Sequence, residues 1–304
     1  MKLKSILFAL FGTVVTAAQA QLFVSEIDSG TIGEYTLSGA TINSALVSGL
    51  GYPSGTVVVG NNLYAADYLN HSINEYTLSG ATVAAPRMTG LSYPWGMAVS
   101  GKDVFVVSVG AGSDAGVIGE YTLSGAPVNP TLITGLASPV GLAISGNNLF
   151  VANSASGTIG EYTLSGAPVN SSLIKGLNEP NGLAISGNDL FVANYFPGSI
   201  GEYTLSGATV NSALIKGLTT PEGLAIAGND LYVAETSAGV VGEYTTSGAT
   251  VNANLITGLT AGPGYLMVAA PEPRAWSIIV AGLGLTLWAS SNWLAGVKKL
   301  ILRR

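Results

Sequence analysis

The sequence predicts an all-β fold, a six-bladed β-propeller with four strands in each blade, on the strength of three observations. The phrase Glu-Tyr-Thr occurs six times, at intervals of 41 residues with one interval of 45. A proline recurs in phase with this phrase. Short β-branched and aromatic runs alternate with Gly, Asn and Pro, which is typical of hairpins and would break the helices of a solenoid. A repeat of about 40 residues with four strands is a propeller blade. The recurring residues are Tyr35, Tyr76, Tyr121, Tyr162, Tyr203 and Tyr244, and Pro53, Pro94, Pro139, Pro180, Pro221 and Pro263.

One central unit shows the predicted strands in order. The first is Gly182–Ser186 and the second is Leu190–Asn194, with a Gly-Asn turn between them. The third is Ser199–Leu205, and the fourth, after a Ser-Gly turn, is Val210–Leu218. Each strand is short and ends at a residue that favours turns.

The two ends of the repeat region predict how the ring closes. The repeats open on a second strand, Leu22–Glu26, and finish on an isolated first strand, Tyr265–Val268. Pairing these two strands would complete the sixth blade and leave no sheet edge open at the seam, where an open edge invites aggregation. The predicted domain therefore spans residues 21–270.

The blades resemble those of the NHL-repeat superfamily. Leu63-Tyr-Ala-Ala-Asp67, followed by Asn70 and Ile73, matches the second-strand pattern of that superfamily. Pro180-Asn-Gly-Leu-Ala-Ile185 matches its Pro-x-Gly and first-strand pattern. The resemblance implies a six-bladed propeller in a group that contains gluconolactonase-like lactonases, lyases and binding scaffolds. Because one propeller fold carries many unrelated activities, the resemblance supports the fold more than a function.

Residues 1–20 have the pattern of a removable signal peptide. Lys2 and Lys4 precede the apolar run Ile6–Val15, and Ala18-Gln19-Ala20 forms a small-x-small cleavage site. The alternative, an uncleaved anchor, would need about 20 apolar residues, and this run is much shorter. The mature chain is expected to begin at Gln21.

Residues 271–304 predict a membrane-sorting tail. Pro271-Glu272-Pro273 precedes an almost uncharged stretch, 275–297, which is long enough for a transmembrane helix and is followed by a terminal basic cluster. This order resembles the PEP-CTERM sorting signal of Gram-negative bacteria. The resemblance implies processing by an exosortase and a place at the cell surface or outside the cell, often beside extracellular polysaccharide. The alternative is a plain C-terminal membrane anchor.

The charge distribution excludes one class of partner. Residues 21–270 contain 16 acidic and 4 basic residues, a net charge near −12. Such a body repels phosphate backbones, so nucleic-acid binding is not expected. The chain has no cysteine, which excludes disulfides and thiolate chemistry.

The residue that ends each second strand is the candidate for a metal site. The metal candidates are Glu26, Asp67, Asn153, Asn194 and Glu235, with Ser108 at the sixth position. Oxygen ligands converging on one axis suit Ca²⁺ or another divalent cation, and the lactonase-like relatives bind a catalytic metal in a comparable place. The alternative is that these side chains hydrogen-bond the loops that follow them.

Ligand-binding candidates lie at the position after the recurring proline, which varies within an otherwise strict repeat. They are Trp95, Asn181 and Glu222; the other units have Ser54, Val140 and Gly264. Trp95 could stack on a sugar ring or serve only in packing. A four-residue insertion around Gly110–Asp114 lengthens one loop on the same face.

Two further features carry no expected chemistry. The glutamate of each Glu-Tyr-Thr phrase occurs six times around a ring, so it is interpreted as structural. His71 is the only histidine and has no nucleophile motif beside it, which argues against a catalytic triad and a multi-histidine zinc site. The sequence identifies no catalytic residue. It favours an exported, non-catalytic binding or scaffold propeller, with a metal-dependent lactonase-like hydrolase as the alternative.

Overall fold

The chain folds as an all-β, six-bladed propeller of four-stranded antiparallel blades, as the repeat predicts. A computed structural model describes residues 20–110, 115–259 and 262–269. In every blade the strand that opens with the recurring proline is innermost. In five blades the strands run outward from the central channel in chain order, and in the remaining one the innermost strand is the last in the chain.

The described residues contain 24 strands, numbered here in chain order. Blades 1–3 consist of β24 (Pro263–Ala269), β1 (Gln21–Glu26), β2 (Thr31–Thr36) and β3 (Thr41–Val47); β4 (Pro53–Val59), β5 (Asn62–Asp67), β6 (Ser72–Thr77) and β7 (Thr82–Met88); and β8 (Pro94–Ser100), β9 (Asp103–Val109), β10 (Ala115–Thr122) and β11 (Pro127–Ala137). Blades 4–6 consist of β12 (Pro139–Ser145), β13 (Asn148–Asn153), β14 (Thr158–Thr163) and β15 (Pro168–Ile174); β16 (Pro180–Ser186), β17 (Asp189–Asn194), β18 (Ser199–Thr204) and β19 (Thr209–Lys216); and β20 (Pro221–Ala227), β21 (Asp230–Glu235), β22 (Val240–Thr245) and β23 (Thr250–Ile256). A 3₁₀ turn, Thr236–Ala238, follows β21.

The ring closes at blade 1 through the last strand, which confirms the predicted seam. β24 pairs antiparallel with β1, placing Leu266 opposite Val24 and Val268 opposite Leu22. The innermost strand of this blade therefore comes from the end of the repeat region, and its other three strands come from the beginning. Both termini of the disc are held in one sheet, so the seam has no unpaired inner edge.

The core lies between neighbouring blades. Strand two of each blade contributes one aromatic side chain at its third position, and all six are 4 % exposed or less: Phe23, Tyr64, Phe105, Phe150, Phe191 and Tyr232. In five blades the tyrosine of Glu-Tyr-Thr packs over the glycine two residues before it, and a Cβ at Gly201 would lie 2.7 Å from the Tyr203 ring. In the sixth, Asn74 takes the place of this glycine. These packed faces hold the blades in place without disulfides.

Each innermost strand starts two residues earlier than the apolar pattern indicates. In blade 5 the strand begins at Pro180, opposite Asn194, and the register shifts by a bulge before Leu183. Proline is tolerated there because the first residue of an edge strand needs no ladder donor. The bulge places the Pro-x-Gly segment at the end of the channel.

The glycine of Pro-x-Gly sets the spacing of the blades around this channel. A Cβ at Gly141 would collide with the carbonyl oxygen of Asn181 in the next blade, and one at Gly182 with that of Glu222. The same relation holds for Gly55, Gly96 and Gly223. Glycine thus allows neighbouring innermost strands to approach closely enough to close a six-membered ring.

Three predicted segments lie outside the described residues. They are residues 1–19 of the signal peptide, residues 111–114 of the insertion and the sorting tail, residues 271–304. Within the part of the chain that the structure describes, no helix has the length and apolarity needed to cross a bilayer.

Candidate functional site

The six variable residues of the innermost strands surround one end of the channel, here called the mouth. We name them the mouth ring: Ser54, Trp95, Val140, Asn181, Glu222 and Gly264. The backbones of neighbouring innermost strands are in contact around the channel. The Ser54 hydroxyl, for example, donates to the Pro94 carbonyl of the next blade at 2.9 Å, and the Gly141 and Gly182 segments touch the carbonyls of Asn181 and Glu222. The structure therefore brings together the three predicted ligand candidates Trp95, Asn181 and Glu222.

Tyr265 fills the mouth from blade 1. Its hydroxyl lies 3.5 Å from the Val140 carbonyl of blade 4, directly across the ring, and 3.5 Å from Asn181 Oδ1 of blade 5. Burial, and next the charge of Glu222, raise the pKa of Tyr265 well above its ordinary value. The phenol therefore remains protonated and divides the mouth from the channel.

The channel behind Tyr265 is a small cavity of about 110 Å³ with polar and apolar surface in similar amounts. The glycines of the Pro-x-Gly segments and the residues that follow them line it, among them Thr56, Met97 and Leu142. Its volume corresponds to a few water molecules at about 30 Å³ each. Larger ligands are restricted to the mouth outside Tyr265.

Glu222 is a buried carboxylate without an ion-pair partner. It is 8 % exposed, and its Oε2 atom has no hydrogen-bond partner. Burial raises its pKa to about 7. The Thr236 hydroxyl lowers this pKa, and the same hydroxyl donates to the Pro263 carbonyl at 2.9 Å. Glu222 can therefore be neutral or ionised near neutral pH.

A group of aromatic side chains covers the mouth on the side of blades 2 and 3. We call it the aromatic cluster: Tyr52, Tyr68, His71, Tyr93 and Trp95. Tyr68 is its centre, with ring centroids 5.0 Å from Trp95 in an edge-to-face arrangement and 4.9 Å from Tyr93. All five side chains are partly exposed. His71 stays in this cluster because its Nδ1 accepts the Tyr93 backbone N–H at 3.3 Å.

A second aromatic pair lies in the opposite blade. Tyr195 and Phe196 follow β17 in blade 5, with ring centroids 4.9 Å apart, and Phe196 is 48 % exposed. Blade 5 faces blade 2 across the ring. The charges of Glu222 and Asp28 add to burial in raising the pKa of Tyr52, and Tyr195 contributes further. The mouth is thus an acidic opening with the aromatic cluster on the side of blades 2 and 3, and the Tyr195–Phe196 pair lies outside that cluster.

The backbone before each recurring proline is held in an unfavourable conformation. Five of these residues have left-handed φ values between 42° and 68° although none is glycine: Tyr52, Tyr93, Ser138, Glu179 and Thr220. The sixth is Gly262, with φ of 62°. Left-handed backbone costs an L-residue about 1 kcal/mol or more. This strain is repeated at every segment that leads into the mouth.

The predicted metal residues lie at the mouth end of the disc but one strand outward from the axis, buried between blades. Asp67 Oδ1 accepts the Gly51 N–H at 2.9 Å, and its Oδ2 accepts from the side chains of Asn70 and Asn74. Glu235 Oε2 accepts the Thr219 N–H at 2.7 Å. These two carboxylates bond the neighbouring loops, which is the alternative to metal binding.

The other strand-two ends differ from these two in their hydrogen bonding. Burial raises the pKa of Glu26, and the side-chain oxygens Asn153 Oδ1 and Asn194 Oδ1 are buried without partners. Among the described residues, no three His, Asp or Glu side chains are grouped so as to hold a metal ion. A divalent-metal site at Glu26, Asp67, Asn153, Asn194 and Glu235 stays a prediction from sequence.

The repeated glutamates lie in the blade sheets, where they accept hydrogen bonds or remain partly exposed. Glu75 accepts from Asn62 at 2.7 Å and from Tyr64 at 2.9 Å, and it forms an ion pair with Arg87 at 3.0 Å. Glu161 accepts from Asn148 at 2.6 Å. Their place in the blade sheets agrees with the structural interpretation.

Sequence reasoning missed Tyr265 as a site residue, although the sequence has a signal for it. Five units read Pro-x-Gly, but the last reads Pro263-Gly264-Tyr265. Tyrosine therefore stands where the other units have glycine. The tyrosines Tyr52 and Tyr93 carried a weaker signal, because they directly precede the recurring proline in adjacent units.

Comparison with known proteins identifies the fold but no family. No family model matches the chain, and no curated protein does. A chain in the crystal structure of the nidogen/laminin complex is 18 % identical with a TM-score of 0.67, and the match covers 83 % of this chain and 98 % of that one. A protein of unknown function from Bacteroides caccae is 14 % identical with a TM-score of 0.63, over 82 % of this chain and 98 % of the other. At these identities the similarity shows the propeller fold alone.

Proposed function

We propose that this chain is an exported, membrane-sorted binding module that holds a glycan at the mouth of its propeller, on the surface of a Gram-negative cell or in its extracellular matrix. The aromatic cluster beside the mouth ring is the observation that carries the proposal. Export and sorting rest on the sequence of residues 1–20 and 271–304. The fold itself is consistent with a binding or scaffold module.

The composition of the mouth suits a sugar. Exposed aromatic faces pack against the C–H faces of pyranose rings, and a few placed polar groups fix the orientation of a ligand. Both kinds of group are present. Trp95 and Tyr68 supply ring surface, while Asn181 and Glu222 supply acceptors and Trp95 Nε1 is a buried donor without a partner.

The residues at the ends of the second strands, which were the metal candidates, give no comparable support to hydrolysis. A lactonase-like mechanism needs a bound metal, and two of the carboxylates proposed for it already accept hydrogen bonds from loop backbone. We therefore propose binding without turnover.

The test is a titration of the detergent-solubilised full chain with neutral oligosaccharides representative of extracellular polysaccharides, followed by calorimetry and tryptophan fluorescence. Trp95 is the only tryptophan between residues 21 and 270, so the difference between wild type and Trp95→Phe isolates its signal. We expect binding that quenches or shifts this signal and weakens by about tenfold in Tyr68→Ala, a loss typical of one well-packed aromatic contact.

Phe196→Ala is the matched control for a change of exposed aromatic surface outside the cluster. An equal loss in both variants would show that the cluster is not the site. The absence of binding to every glycan tested would overturn the proposed function. Mass spectrometry of the mature protein, which would locate both termini, tests export and sorting separately.

A further inference from the structure

We infer that the mouth contains a subsite for a positively charged ammonium group, formed by Glu222 with the surrounding aromatic rings, and that the glycan it binds carries an amino sugar. This inference rests on the proposed glycan-binding function and names the chemistry of its ligand. The observations behind it are the Glu222 carboxylate, which has an oxygen without a hydrogen-bond partner, and the aromatic side chains near it.

The Glu222 carboxylate lacks any counter-charge within the described residues. The four basic side chains of the body are Arg87, Lys102, Lys175 and Lys216, and the one ion pair formed in the described part joins Arg87 to Glu75. Glu222 Oε2 is buried and has no donor. Leaving a buried acceptor unpaired is costly, and a charged acceptor more so. A positive charge at this point must come from outside the body of the chain.

The groups around Glu222 are aromatic and neutral. Tyr265 and Tyr52 are both close enough for the Glu222 charge to raise their pKa. Tyr52 is also 6.0 Å from Trp95, centroid to centroid. Aromatic faces attract cations, and more strongly where the site is desolvated. A carboxylate next to such faces is the complement of an ammonium ion.

A metal ion fits this site less well. Ca²⁺ takes six to eight oxygen ligands. No three acidic or histidine side chains are grouped in the described parts so as to hold such an ion. At Gly264, a Cβ would lie 3.6 Å from Glu222 Oε2, which is ordinary van der Waals contact, so Gly264 borders the carboxylate without supplying a ligand atom from a side chain.

The partners at the mouth also fit the rest of a sugar. Trp95 Nε1 is close enough to the Tyr265 hydroxyl to lower the pKa of that phenol but makes no hydrogen bond of standard geometry, and Asn181 Oδ1 has only the long 3.5 Å contact with Tyr265. Both groups can exchange hydrogen bonds with ring hydroxyls. The ammonium would lie at Glu222 and the sugar ring against the aromatic cluster.

The first experiment isolates charge. Choline and its uncharged isostere 3,3-dimethyl-1-butanol are titrated into the full chain in detergent. We expect choline to bind about tenfold or more tightly than the alcohol, in line with a charge-assisted contact. Glu222→Gln should remove this preference, while Glu179→Gln, which deletes an equal charge at an exposed residue beside the mouth, should keep it.

The pH dependence is a second readout. Choline has a fixed charge, so its affinity should rise between pH 5 and pH 8 as Glu222, with its pKa near 7, ionises. The phenols facing Glu222 from the neighbouring segments, Tyr52 and Tyr265, have raised pKa values and do not titrate in this range. The profile should be flat in Glu222→Gln. Thermal melts of both variants verify that they fold.

The final experiment compares the affinities of a glucosamine tetramer and its fully N-acetylated counterpart. The first carries ammonium groups, and the second carries neutral amides in their place. Tighter binding of the glucosamine tetramer supports the inference. Equal choline and alcohol affinity, or a preference that survives in Glu222→Gln, would overturn it even if neutral glycans bind. Binding of choline with no binding of any glycan would instead overturn the proposed function and retain the ammonium site.

Discussion

Replacing Asp189 by asparagine should stabilise the protein, and the chain contains its own reference for this change. Strand two opens with Asn148 in blade 4 and with Asp189 in blade 5, and each faces the repeated glutamate on strand three. Asn148 Nδ2 donates to Glu161 Oε1 at 2.6 Å. At the equivalent place, burial and then the charge of Asp189 raise the pKa of Glu202. The asparagine is a donor, whereas the aspartate is a like charge.

The magnitude follows from these two terms. A hydrogen bond to a charged acceptor contributes about 1.5–3 kcal/mol when buried. Both Asp189 and Glu202 are partly exposed, and solvent reduces such terms to about 1 kcal/mol or less. We therefore expect Asp189→Asn to raise the free energy of unfolding by about 1 kcal/mol at pH 7, or Tm by about 2–4 °C for a domain of this size.

The sign of the pH dependence gives a sharper check. The pKa of Glu202 is raised in the folded state, so folded protein binds more protons than unfolded protein and stability falls as pH rises from about 4.5 through the folded pKa. Removing the Asp189 charge lowers that folded pKa. The gain in Asp189→Asn should therefore be largest at pH 7 and shrink towards pH 4.

Chemical denaturation at pH 4 and pH 7 measures both effects. The reverse change in blade 4, Asn148→Asp, should cost a similar amount at pH 7 because it removes the bond to Glu161 and adds a like charge. Asp103→Asn, opposite Glu120, should behave as Asp189→Asn does, since Asp103 likewise raises the pKa of Glu120. If Asp189→Asn is neutral while Asn148→Asp is destabilising, repulsion between the carboxylates is not the cause.

Two further substitutions test the geometry of the mouth by thermal and chemical unfolding. Ser138→Gly should raise the free energy of unfolding by about 0.5–1 kcal/mol, because Ser138 has φ of 46° and Gly262 already occupies the equivalent position. A lower free energy of unfolding would show that the Ser138 side chain matters more than its backbone conformation. Gly182→Ala should lower the free energy of unfolding by about 1–3 kcal/mol, because its Cβ would collide with the Glu222 carbonyl, a backbone group that cannot rotate away. Unchanged stability would refute the close approach of neighbouring innermost strands.

The blade architecture was predictable because it is repeated. Six copies of one strand pattern average out local ambiguity, and the unmatched strand Tyr265–Val268 indicated where the ring closes. Strand ends were less predictable. The apolar pattern begins at Gly182, whereas the strand begins at Pro180 because a bulge lets proline enter the ladder at its first residue.

The metal hypothesis places the ends of strand two around the axis at one mouth of the channel, and it stays a prediction. Strand one stands between strand two and the channel, so Asp67 and Glu235 meet the loop that leads into strand one and accept its backbone N–H groups. Sequence showed which residues share a position but not how far that position lies from the axis. That distance depends on the order of strands from the channel outward.

The same reasoning explains why the variable positions were informative and Tyr265 was overlooked. In a repeat protein, a residue that is the same in every unit serves the fold of every blade. A residue that differs in one unit can serve a function at that place alone. Trp95, Asn181 and Glu222 were recognised because they vary where variation was expected. Tyr265 departs at a position where five other units keep glycine for close packing, and it lies on β24, which joins the ring from the far end of the repeats. The strand that completes blade 1 therefore also brings Tyr265 into the mouth, with its hydroxyl 3.5 Å from the Val140 carbonyl and from Asn181 Oδ1.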